Sequence, residues 1–137
     1  MIAQTPECLK YEGRMLHLRG EPLGQYFYMA GINPPFLKQS RTLIRGYLGS
    51  WELNLGRLYL TGLEAVLANG LPASLDTLFP GYSSRVFAHW CSGQFLTFEG
   101  SAFEPVPKST LMASSRILEF HKGVLAREWV EDAKRKS

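Results

Sequence analysis

The sequence predicts a mainly β domain, α+β at the margin: an antiparallel meander of about four hairpins, curved into a bent sheet or a small barrel, with one or two short helices. Three observations predict it. A short apolar strand, a glycine turn and an alternating strand recur four times, around Gly13, Gly56, Gly93 and Gly123. The residues after the first turn alternate, with Met15, His17 and Arg19 on one side and Leu16 and Leu18 on the other, which is the two-residue period of a strand. Gly46 and Gly49 interrupt the longest strand candidate, Thr42 to Leu53, and a glycine inside a strand marks a bulge, a bend or the close approach of another backbone.

The four hairpin candidates read CLKYEGRMLHL, WELNLGRLYL, HWCSGQFLTF and ILEFHKGVLA. A hairpin loop of two to five residues usually needs one residue at positive φ, which glycine adopts without a Cβ clash. The turns are unequally spaced, so the pattern is hairpin grammar and not a solenoid or propeller repeat. Between the first two hairpins, EPLGQYFYMA suits a short helix starting near Pro22, where a missing amide is tolerated. INPPF must then be extended, because a residue before proline is pushed out of the helical region. Ser74 to Phe79 suits one or two helical turns closed by Pro80 and Gly81, whereas Lys108 to Ser114 carries no assignable pattern. Val124 to Val130 alternates as a strand; Leu125 and Trp129 would also suit one face of a helix, but the Gly123 turn favours the strand.

The 137 residues are 45% hydrophobic and 20% charged, the composition of one ordinary globular domain. Residues 1–132 are expected to form it and 133–137 to be a basic tail. Much of the net charge of +3 lies in Lys134, Arg135 and Lys136, leaving the body close to neutral. A protein living on phosphate contacts usually carries a basic stripe on a folded element, so nucleic acid is not an expected partner. Met1 to Pro6 has neither a basic nor an apolar leader region, and no apolar run reaches the roughly 18 residues of a membrane helix. The expectation is a cytoplasmic protein with no membrane partner, in which Cys8 and Cys91 stay reduced.

The spacings of a nucleophile elbow, a phosphate loop, a dinucleotide fingerprint or an HExxH zinc helix are not found. His17, His89 and His121 are far apart in sequence, so neither metal nor cofactor is expected. Glu52, Glu64, Glu99, Glu104 and Glu119 are scattered one per strand or loop and read as wet faces of strands. The most informative cluster is Arg45, Tyr47, Trp51 and Glu52. On a regular strand Arg45 shares a face with Tyr47 and Trp51, which lays a guanidinium among rings as a binding platform. The alternative is a rim arginine whose head pairs with a local carboxylate such as Glu52. His89 and Trp90, with Phe87, form a second aromatic group. Tyr26 to Met29 and Pro34 to Phe36 concentrate rings and prolines in a connection, as a lid on the core or as exposed anchors.

RGYLGSWELNLGRLYL, followed by SLDTLFPG and VFAHWCSGQF, resembles a pattern found in a family of small bacterial proteins. The resemblance covers about half the chain and implies a bacterial or phage origin; it implies no activity, ligand or catalytic residue. The functional expectation is therefore a non-enzymatic binding module for a protein or small ligand, with a homodimer through an edge strand as one arrangement. Two alternatives are a small hydrolase using a histidine–carboxylate pair near Tyr47, Trp51 and His89, and a weak nucleic-acid binder.

Overall fold

The computed structural model describes residues 4–38, 41–82, 84–99 and 115–131. Lys108 to Ser114, Glu104 and the basic tail at 133–137 lie outside the described residues. The elements run β1 (Glu7–Tyr11), β2 (Arg14–Leu18), α1 (Pro22–Ala30), β3 (Tyr47–Asn54), β4 (Arg57–Val66), β5 (Pro72–Ala73), α2 (Leu75–Leu78), β6 (Val86–Phe87), β7 (Gly93–Phe98), β8 (Ser115–His121) and β9 (Val124–Glu131). The mainly β class, the barrel and the two short helices are as the sequence predicts.

Seven strands close into the barrel in the order β3, β1, β2, β7, β8, β9, β4, with β4 returning to β3. β1–β2, β3–β4 and β8–β9 are hairpins turning at Gly13, Gly56 and Gly123. All three loops have two residues at positive φ: Glu12–Gly13, Leu55–Gly56 and Lys122–Gly123. This is the primed turn whose twist matches that of the flanking strands. The second edge of β4 is used in sections, by β9 at Arg57, β6 at Tyr59 and Leu60, and β5 at Ala65 and Val66.

Two details depart from the expected meander. β1 lies parallel to β3, with Leu9 beside Trp51 and Tyr11 beside Leu53, because β2 and α1 carry the chain back before β3 begins. The third hairpin does not form. Gly93 opens β7, which pairs with β8 and β2, and Ala88 to Cys91 is a turn in which the Cys91 N–H donates to the Ala88 carbonyl. Its alternating residues are taken out of the ladder because Trp90 is drawn inward, where its indole N–H donates to the Pro22 carbonyl.

The long strand candidate is also shorter than expected. Gly46 sits at φ +83° and its N–H donates to the Leu43 carbonyl, a turn that holds the chain out of β conformation until Tyr47. Within β3 the alternation holds: Tyr47, Gly49, Trp51 and Leu53 face inward. The β3–β4 register shifts between Ser50 and Trp51, making Thr61 the extra residue of a bulge. Inward residues of the other strands, including Leu9, Leu18, Leu58, Leu60 and Leu118, complete one core. Cys91 is buried, Cys8 is half-buried, and both are free thiols.

α1 starts at Pro22 as expected and buries Pro22, Leu23 and Phe27. α2 is one turn, with the Ser74 N–H donating to Thr77 Oγ1.

The turns yield two predictions. A Cβ at Gly13 meets nothing within 4 Å, while one at Gly123 falls 2.5 Å from the Ala88 carbonyl oxygen. Gly13→Ala should cost about 1–2 kcal/mol for its left-handed backbone alone, and Gly123→Ala distinctly more, with equal costs in urea unfolding as the contrary result. Leu55 is exposed at φ +52°, so Leu55→Asn should stabilise by roughly 0.5–1 kcal/mol, seen as a raised urea midpoint at unchanged slope.

Candidate functional site: the α1 face and its buried anchor

The second residue of each pair in Glu7-Cys8-Leu9-Lys10-Tyr11 faces outward, which puts Glu7 in phase with Leu9 on the core side of β1. Glu7 is 0% exposed. Its Oε1 accepts from the Trp51 indole N–H at 2.7 Å, its Oε2 from Arg45 Nε at 3.2 Å, and the Gly49 N–H donates to it as well. Arg45 also donates to the Thr5 carbonyl at 2.9 Å, and its guanidinium lies 5.5 Å from the Tyr47 ring centre. Gly49 is required by close approach: a Cβ there would stand 2.9 Å from both Glu7 Oε1 and Trp51 Nε1.

Arg45, Tyr47 and Trp51 are thus brought together, though Arg45 arrives from the turn before β3 and not from a shared strand face. The carboxylate it pairs with is Glu7, not Glu52. Glu52 points outward, in register with Tyr59 on one side and Lys10 on the other. Trp51 is 1% exposed and all of this cluster is core or core rim. Burial holds the Glu7 carboxyl above its ordinary range despite its three donors, and pushes the Tyr47 phenol upward as well. Burial also raises the Cys91 thiol to about 12 and the Cys8 thiol above its usual value, so neither sulfur is primed as a nucleophile.

α1 is fixed over this core from both sides. On one side Phe27 meets Phe36 and Tyr47 edge-on or tilted at 5.5–6.0 Å, counting the Phe36–Tyr47 contact. On the other, Tyr26 packs on Phe79 and Trp90, which stack on one another at 5.6 Å and 6°. Gln25 locks the helix to the turn after Trp90, donating to the Ser92 carbonyl and accepting from its N–H. Phe27 and Phe36 are therefore the lid, while Tyr28 and Met29, 88% and 68% exposed, are not.

A cleft flanks the helix on each side. One, of about 910 Å³, includes Gln25, Met29, His89, Trp90, Ser92 and Lys122 in its lining. The other, of about 610 Å³, includes Phe27, Ile32, Phe36, Ile44, Arg45 and Tyr47. Glu21, Gly24 and Tyr28 line both. His89 and Trp90 therefore stand across α1 from Arg45 and Tyr47, and the expected single platform is two grooves divided by a helix. Tyr28, Met29, Ile32 and Ile44 form the exposed apolar rim.

His89 contacts the Trp90 ring at 5.4 Å and, among the described residues, has no carboxylate within ion-pair distance. Among the described residues no three histidine, cysteine or acidic side chains are grouped to hold a metal, and no helix is long and apolar enough to cross a membrane. Glu7 is the residue sequence reading missed; its signal is a carboxylate in phase with Leu9 and Tyr11.

The buried carboxyl gives a pH test. The folded chain holds the Glu7 proton more tightly than the unfolded chain, whose value is near 4.5, so raising the pH above 4.5 costs the folded state more. The stability of the native protein relative to Glu7→Gln should fall as pH rises above about 4.5, read from tryptophan fluorescence in urea. A difference that grows with pH would contradict it. Compared with family models, curated proteins and solved structures, the chain matches none of them, so a functional reading stands on its own residues.

Proposed function

We propose that this chain is a non-enzymatic binding module whose contact surface is the α1 face. One observation carries the reading: apolar side chains are exposed on and beside a helix that is held from both sides. Tyr28 and Met29 rim one cleft, and Tyr28, Ile32 and Ile44 rim the other. Isolated exposed apolar residues are ordinary on any surface, but a contiguous set beside grooves is the usual mark of a partner site. Pre-organisation adds to this, because Gln25, Phe27 and Tyr26 fix the helix before any partner arrives, and a rigid aromatic anchor costs little entropy to bind.

A polypeptide partner fits better than a small molecule. Both clefts are broad and open onto a ridge, whereas small ligands are generally taken into pockets that bury most of their surface. Tyr28 at the ridge has the character of a hot-spot residue: large, amphipathic and central.

Tyr28→Ser with Met29→Ser should leave the urea midpoint within about 0.5 kcal/mol of the native value, since neither side chain is in the core. The same pair should abolish capture of any specific polypeptide from a bacterial lysate, while Val130→Ser on the distant β9 leaves capture intact. Identical capture profiles for native and α1-face variants would sink the reading.

A further inference from the structure

On the outer wall of the barrel, away from α1, β4 and β6 carry a row of alternating character. Arg57 and Tyr59 face outward from β4, between the inward Leu58 and Leu60. Phe87 is the cross-strand partner of Tyr59, with ring centres 5.8 Å apart. Arg85 lays its guanidinium 4.1 Å from the centre of the Tyr59 ring, and Arg57 lays its own 5.8 Å from that of Phe87. Two rings are thus bracketed by two cations.

Among the described residues these guanidiniums differ from four other arginines, while Arg19 over Phe98 shares their ring contact. Arg14, Arg45, Arg116 and Arg127 each have a carboxylate partner. Arg57 and Arg85 are exposed, and among the described residues neither has one. Each lies over a ring with no carboxylate taking up its donor fork, which leaves the fork open to a phosphate. The nearest acid in register is Glu52, opposite Tyr59, and Lys10 stands in register on its far side.

The geometry points to this row as a binding site for single-stranded nucleic acid. Its phosphates would take the two forks, and its bases would stack on guanidinium planes already backed by rings. An acidic polypeptide would satisfy the charges but leave the ring-backed planes unused. The sequence keeps a nucleic-acid binder only as an alternative because it shows no basic stripe; the row is built from residues 57, 59, 85 and 87, which the β4–β6 pairing brings together. The site is separate from the α1 face and does not depend on it.

The test is fluorescence anisotropy of the full chain with a labelled oligo-dT of about 16 nucleotides, the upper end of what one small barrel covers. Binding should weaken as salt rises. Arg57→Ala with Arg85→Ala should weaken it at least about tenfold and flatten the log–log salt slope by about 1.4, two single-strand phosphate contacts at about 0.7 each. Arg57→Lys with Arg85→Lys, which keeps charge but removes the planes, should also weaken it, and Glu52→Gln should tighten it. No binding at low salt, unchanged binding by the alanine or the lysine pair, or equal competition by polyglutamate would each overturn the proposal. Glu52→Gln keeps the test decisive if an arginine pair fails to fold, since unchanged affinity there overturns it too.

Discussion

The rest of the barrel depends on the carboxylate of Glu7. Taking it and the Arg45 head out of water costs several kcal/mol per ion in round terms, offset only when the geometry is good and the remaining hydrogen-bonding groups are satisfied. Here Trp51, Arg45 and the Gly49 N–H all converge on it. The bonds run from β1 to β3 and to the turn before β3, the one place where neighbouring barrel strands are parallel. A parallel pair has no tight turn to set its register. Sliding β1 by two residues against β3 would keep every side chain on its proper face, yet would carry Glu7 away from Trp51 and Gly49.

Closure of the barrel is uneven. β3 and β4 pair along eight positions, whereas β2 and β7 share two and β4 and β9 share one. The weak seam is held by hairpin tips instead: Leu58 N–H donates to the Gly123 carbonyl, Leu125 N–H to Gly56, and Gly123 N–H to Cys91. Gly123 therefore serves twice. It supplies positive φ, and it lets its hairpin lie against the Ala88 turn where a ladder has run out. That is why Gly123 has the Ala88 carbonyl against it and Gly13, on an open turn, has nothing.

Legibility followed the range of the interactions involved. Hairpins at Gly13, Gly56 and Gly123, the helix start at Pro22 and the strand at Val124 are fixed within a few residues, and the sequence shows them. The segment around Gly93 looked identical in that local grammar and behaves differently because Trp90 finds the Pro22 carbonyl 68 residues away. Arg45 shows the same limit. Its ring neighbour Tyr47 was legible at two residues' distance, but its carboxylate lies 38 residues back in β1, and Glu52, nearer in sequence, is turned to the other face. A charged residue in phase with an apolar strand face was the one local trace of that partner.

The two candidate surfaces share an origin in the segment from Arg85 to Ser92. Were it a regular hairpin strand, Phe87 and His89 would face one way and Ala88 and Trp90 the other along a continuous ladder. Instead pairing stops after Phe87, and the chain turns at Ala88 to lock Ser92 against Gln25 of α1. The interruption leaves Arg85 and Phe87 on the outer wall beside Arg57 and Tyr59 while placing His89 and Trp90 in the groove beside Met29. In this chain the two candidate surfaces arise where the ladder gives way.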